Sequence, residues 1–213
     1  MFNFSSKTLV NKEYKLSDFL AQIKATKEVK DDAKKIKKII FQNVINASSL
    51  NVEEDEVYKN IYIIRIILKV GVIPKLFIEE LDKNIEFHTY FICEFDNEVS
   101  TLISFKEIGK KVKTDRYYSH DFTKETNIDL PNINSVEDAY KIFLAYEVGL
   151  FFRKNETPKE YITRKKAINR LEFQIGKTES AIVYETQPKK KFEYNERLRK
   201  YRKEFEELIR EDI

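Results

Sequence analysis

The sequence predicts an α+β protein: a small, mainly antiparallel sheet with helices, followed by a helical C-terminal region with a coiled-coil-like hairpin. Three observations carry this prediction. Runs dense in β-branched and aromatic residues crowd between residues 58 and 108, with one amphipathic helix among them. A polar, aperiodic stretch around Pro131, "TKETNIDLPNINS", then marks a linker. Beyond it, apolar residues recur by steps of three and four, the spacing of a narrow seam between helices. The expected organisation is an α+β domain over 1–125 and a helical region over 135–213.

The elements follow in order. "KLSDFLAQIKA" begins a helix, with Ser17 or Asp18 as cap and Leu16, Phe19, Leu20 and Ile23 on one face. "VKDDAKKIKKIIFQNVI" places Val29, Ala33, Ile36, Ile40 and Val44 at helical spacing, so a second, lysine-covered helix is expected. Its outer face reads as solvated surface, with contact to phosphates as the alternative. "YKNIYIIRIILKV" reads as a central strand, apolar on most of both faces. "IPKLFIEELDKNI" is a helix with Pro74 in its first turn and Leu76, Phe77, Leu81 and Ile85 facing inward.

"FHTYFICEF" and "VSTLISFKEI" form a hairpin about "DNE", and "DRYYSHDF" adds an edge strand. Ser135 then opens a helix whose apolar stripe is Val136, Tyr140, Phe143, Leu144, Val148 and Phe151. Two amphipathic stretches complete the chain. One carries Ile168, Leu171, Ile175, Thr178 and Ile182; the other carries Tyr194, Leu198, Tyr201, Phe205 and Leu208. Pro188 between them leaves two arrangements open, an antiparallel hairpin or one long helix kinked at the proline.

Composition excludes several functions. In 213 residues, 39 basic and 36 acidic side chains leave a formal +3, too little to imply nucleic acid unless the charge clusters on one face. Cys93 is the sole cysteine, so no internal disulfide can form and a reducing compartment is expected. The N-terminal residues lack the pattern of a signal peptide, and the most apolar run is broken by Arg65 and Lys69. A cytoplasmic protein with no membrane contact is therefore expected. Only four glycines occur, and neither GxGxxG nor GxxxxGK[ST] is among the motifs. No cofactor is expected.

Reaction chemistry is sparse. Neither His88 nor His120 has neighbours at metal-ligand spacing, so no metal site is expected. Cys93 lies within an apolar strand, the setting of an inert thiol. The enzymatic alternative is a metal-dependent nuclease built from Asp82, Glu94 and Lys106 on or near the hairpin, although the acid-x-lysine pair of such sites is missing. No catalytic residue is assigned. The densest feature is "TQPKKKFEYNERLRKYRK", where eight basic residues are opposed by only Glu193 and Glu196. It reads either as a phosphate-binding or partner-binding patch or as the wet side of a hairpin. Gln187, Lys191 and Asn195 recur every four residues and are extended by Arg199. With Lys189 and Lys190 they make the candidate binding stripe.

Three stretches resemble an uncharacterised bacterial family, domain of unknown function 4391. They are "KKIKKIIFQNVINASSLNV", "VYKNIYIIRIILKVG…LFIEELDKNIEFHTYFICEF" and "RLEFQIGKTESAIVYETQPKKKFEYNERLRKYRKEFEEL". "LDKNI" takes the family's helix-end position, Lys106 ends the hairpin, and Gln187, Lys191 and Asn195 match the tail pattern. Pro188 departs from the continuous tail helix that the resemblance implies. The resemblance implies no established activity. It implies a setting beside DNA methyltransferases and helicases of restriction and phage-defence systems. The expected function is thus a non-enzymatic adaptor that docks a helicase or DNA methyltransferase, with DNA as a further contact. The alternatives are the nuclease and a structural protein that dimerises through its seam.

Overall fold

The computed structural model describes residues 4–23, 25–124, 128, 130 and 133–210. The chain divides into two compact units, residues 1–149 and 150–213. Pro131 and five other residues of the expected linker, 125–127, 129 and 132, lie outside the described residues.

The first unit is built on one six-stranded sheet in sequence order: β1 (Leu9–Tyr14), β2 (Ile36–Asn46), β3 (Asn60–Leu68), β4 (His88–Phe95), β5 (Glu98–Glu107) and β6 (Lys113–Ser119). Every neighbouring pair is antiparallel except β3 and β4, which are parallel and need a crossover. Helix α4 (Lys75–Lys83) supplies it. A two-residue turn joins β4 to β5. Phe95 pairs with Glu98, and Asp96 and Asn97 adopt φ of 49° and 63°. Positive φ at both positions matches the twist of the flanking strands, and Asp and Asn tolerate it better than most residues.

One face of the sheet carries α1 (Leu16–Gln22), α2 (Lys27–Ala33) and α4, while the one-turn α3 (Ala47–Leu50) follows β2. Phe19, Val29, Ala33, Phe77, Ile78 and Leu81 pack there against Ile39, Ile64, Ile66, Phe91 and Leu102. The opposite face takes α5 (Val136–Val148), whose Phe143 stacks on Tyr90 with ring centroids 4.5 Å apart. Side chains alternate across a strand, so β3, covered on both faces, is apolar on both. Helix α5 starts at Ser135, whose hydroxyl accepts the Asp138 N–H, and ends at Gly149 in the left-handed conformation (φ 66°).

Several expectations are corrected. The lysine-rich second helix stops at Ala33, and residues 36–46 form β2 instead. Two irregularities in its pairing with β3, at Ile36/Lys38 and Phe41/Asn43, reset the alternation of buried residues. The bulged strand therefore imitates the three-four spacing of a helix. A further strand, β1, precedes α1 and was not expected. Lys15, not Ser17 or Asp18, is the N-cap of α1. In α4, Leu76 is exposed and Ile78 and Asp82 take inward positions. Phe151 lies outside α5 and is exposed.

The second unit is a helical hairpin of α6 (Pro158–Tyr184) and α7 (Pro188–Ile209). Thr157 and Glu160 form a reciprocal capping box, and Pro158 and Pro188 occupy the first turns. The antiparallel arrangement is visible in the contacts. Arg164, early in α6, donates to the Leu208 carbonyl near the end of α7 (3.2 Å), and Arg202 pairs with Glu179 at 2.7 Å. Leu171 and Leu198 are buried in the seam. Pro188 begins a new helix, which eliminates the single kinked one.

Candidate functional site

Two buried polar clusters and one exposed basic helix face concentrate the polar chemistry. The first cluster sits where α4 runs into β4. Helical spacing from Ile78 brings Asp82 to the inward face, and the Lys106 ammonium reaches it from β5 at 2.5 Å. The ammonium also donates to the carbonyls of Asp82 (3.0 Å), Ile85 (3.1 Å) and Phe87 (2.7 Å), with the Thr89 hydroxyl 3.4 Å away. Thr89 donates to Asp82 Oδ1, and the Tyr117 hydroxyl donates to Oδ2 at 2.6 Å.

Both charged side chains are 1% exposed. Burial pushes the Lys106 pKa down against the opposing pull of Asp82. Burial, with Asp82 adding to it, pushes the Tyr117 phenol up. An ammonium has three N–H donors, and here it has more acceptors than donors. It bonds one carbonyl of α4 and two of the connection to β4, and so pins that segment to the sheet.

Glu94, the other carboxylate of the nuclease alternative, does not join this cluster. It pairs with Arg65, whose Nε donates to it at 2.7 Å. Alternation along β4 puts Glu94 with Tyr90 and Ile92, opposite the face of Thr89 that meets Asp82. Among the described residues, no group of three or more His, Cys, Asp or Glu is placed to hold a metal ion.

The second cluster lies on the α5 face. Glu147 Oε1 accepts from the Tyr90 hydroxyl at 2.6 Å and from the Thr101 hydroxyl. Its Oε2 is buried without a hydrogen bond, 3.8 Å from His120 Nε2. That nitrogen lies 2.8 Å from the Tyr146 carbonyl, which makes it the N–H donor. Burial raises the Glu147 carboxyl pKa, with Thr101, Tyr90 and His120 opposing. His88 is enclosed between the Tyr58 and Tyr140 rings, at 4.8 and 4.4 Å. Burial, with the Lys106 charge, lowers its pKa to about 4. Cys93 is buried, which pushes its thiol up to about 12 and leaves it unreactive at neutral pH.

Sequence reasoning missed Glu147, Tyr90, Thr101, Thr89 and Tyr117 as members of these clusters. A signal was present. Glu147 interrupts the apolar stripe of α5 one turn after Phe143, and Thr89 and Thr101 interrupt apolar strands.

The candidate stripe falls on α7. Gln187 is its N-cap, extended rather than helical, and makes no side-chain cap, so the helical stripe begins at Lys191. Asn195 is half-buried, and its amide donates to the Lys191 carbonyl at 2.8 Å. Arg199 is exposed and pairs with Glu196 at 2.9 Å. Lys189, Lys190 and Lys191 are exposed, and among the described residues they make no side-chain ion pair. These lysines fill a first turn that holds no acidic residue. Cations there oppose the helix dipole, each costing about 0.3–1 kcal/mol, so local helix stability does not account for the cluster.

At the base of the hairpin, Arg164 pairs with Glu156 at 2.7 Å, and Arg153 donates to the Glu207 carbonyl at 2.6 Å. These arginines line a cleft of about 220 Å³ with Phe151, Phe152 and Ile209. They tie the ends of the two helices together.

These features define an α+β protein with two buried polar clusters and a helical hairpin, one helix of which carries a run of exposed cations. The profile of the family described as domain of unknown function (DUF4391) matches residues 2–205, and the chain belongs to that family. No curated protein and no solved structure matches it. Among the described residues, no helix is long and apolar enough to cross a membrane.

Proposed function

We propose that the chain is a non-enzymatic accessory protein of a bacterial DNA-modification or phage-defence complex. It acts in the cytoplasm and docks a helicase or DNA methyltransferase through the solvent-facing side of α7. One observation carries the reading: over residues 188–203, eight basic side chains face two acidic ones, and among the described residues the three lysines of the first turn make no ion pair. The catalytic candidates support it from the other direction. Asp82 and Lys106 satisfy each other out of reach of solvent, while Glu94 is engaged by Arg65. The seam of α7 is covered by α6 of the same chain, which favours docking over dimerisation through that seam. The defence setting and the two partner classes come from the family resemblance.

The test is co-purification of the tagged chain from its native host, with the bound proteins identified. The wild type is expected to retain a helicase or methyltransferase, and Lys191→Glu with Arg199→Glu to lose it at an unchanged melting temperature. Equal recovery of the same partner by both proteins would overturn the assignment of this face.

A further inference from the structure

We propose that the outer stripe of α7 binds single-stranded nucleic acid, with phosphates held by its cations and a base stacked on Phe192. The proposal rests on the reading of α7 as the working surface and names a ligand for it. Helix geometry selects the stripe. Tyr194, Leu198, Tyr201 and Phe205 face α6, and each residue turns the helix by about 100°. Lys189, Phe192, Glu196, Arg199 and Lys203 follow one another by three or four residues. They lie within about 50° of the direction opposite the seam. Lys200 flanks the same side.

Two properties of this stripe point to a strand of nucleic acid. The first is charge complementarity. Lys189, Lys200 and Lys203 are exposed, and the one carboxylate in the stripe, Glu196, is already neutralised by Arg199. A polyphosphate chain is the polyanion that such a row of point charges fits, each neutralised phosphate releasing a counterion. The second is Phe192, 65% exposed among these cations. An unpaired base fits such a ring between cations, because its π-face stacks on an aromatic side chain whatever its identity. In a duplex the bases are already stacked on one another, so the ring selects the single strand.

Fluorescence anisotropy with a labelled oligothymidylate and with a duplex of equal length tests this on the full chain. About three engaged cations give a slope of log K against log salt near −2. Affinity is then expected to fall about twentyfold between 50 and 200 mM salt. Lys189→Glu with Lys203→Glu should remove at least half of that slope. Phe192→Ala should weaken oligothymidylate binding by about five- to a hundredfold, with the slope unchanged and duplex binding unaffected. Phe192 is exposed, so thermal melting should be unaltered and serves as the folding control.

Three results would overturn the proposal: no binding of oligothymidylate at 50 mM salt, equal binding by Phe192→Ala, or equal competition by polyglutamate. The two readings of α7 fail separately. If a helicase or methyltransferase co-purifies but no oligonucleotide binds, only the nucleic-acid proposal fails. If the oligonucleotide binds but no such partner is retained, only the adaptor reading does.

Discussion

Replacing Lys106 by methionine distinguishes a structural pin from a reserve of catalytic charge. The ammonium lies 2.5 Å from Asp82, and both side chains are 1% exposed. At an effective dielectric of about 20 their attraction is on the order of 6–7 kcal/mol, much of it offset by several kcal/mol of desolvation per ion. The intact pair is therefore worth little net, whereas removing one member strands the other. Lys106→Met leaves the Asp82 carboxylate with only the Thr89 and Tyr117 hydroxyls. It also strips a donor from the carbonyls of Asp82, Ile85 and Phe87.

The expected loss is about 3–5 kcal/mol. In urea, with a slope of about 2 kcal/mol per molar, the midpoint of the first unit should fall by roughly 2 M, followed by circular dichroism. Adding Asp82→Asn should restore part of the loss, because two neutral groups replace one buried charge. A cycle showing coupling below about 1 kcal/mol would refute the argument. A loss that small for Lys106→Met alone would do so as well, since the pair would then carry no structural load.

Two further outcomes follow from the same structure. Leu171 and Leu198 are 2% and 8% exposed in the α6–α7 seam, so Leu198→Asp should bury an unpaired charge and cost several kcal/mol, read as earlier melting of the second unit. If Leu171→Asp and Leu198→Asp both melt like the wild type, the seam is not a packed contact. His88 titrates near 6.5 when unfolded but at about 4 in the fold, so its contribution is fully present above pH 6.5 and is lost as pH falls toward 4. That amounts to about 3 kcal/mol of acid sensitivity, which His88→Phe should abolish in a pH series of denaturation curves, and identical pH slopes in the two proteins would disprove it.

Much of the architecture was legible because it is encoded locally. Strand β3 announces itself by nine residues apolar on both faces, α4 by a proline followed by an amphipathic turn, and the β4–β5 hairpin by two residues that tolerate positive φ. The α6–α7 seam was legible from alternating steps of three and four. Strand β2 was not, because its bulges are properties of its pairing with β3 rather than of its own composition. The candidate stripe was legible as charge but not as geometry. That Gln187 is a cap and that Asn195 is bonded to its own helix emerge only once the start of α7 is known.

The sequence by itself determined the class of fold, the crossover helix, the hairpin turn, the inertness of Cys93 within its strand and the crowding of cations along α7. Each depends on residues within a turn or two of one another, where periodicity and turn chemistry act. Tertiary structure alone decided what the buried charges do. Lys106 meets a carboxylate 24 residues earlier in the chain, and Glu147 meets a hydroxyl 57 residues away. A buried ion or hydroxyl is stable only where a partner satisfies it, and the packing of helices on the sheet, not sequence distance, chooses that partner. The same rule separates Asp82 from Glu94. They are close in sequence, but Asp82 sits on α4 over one face of the sheet, while alternation along β4 turns Glu94 to the other.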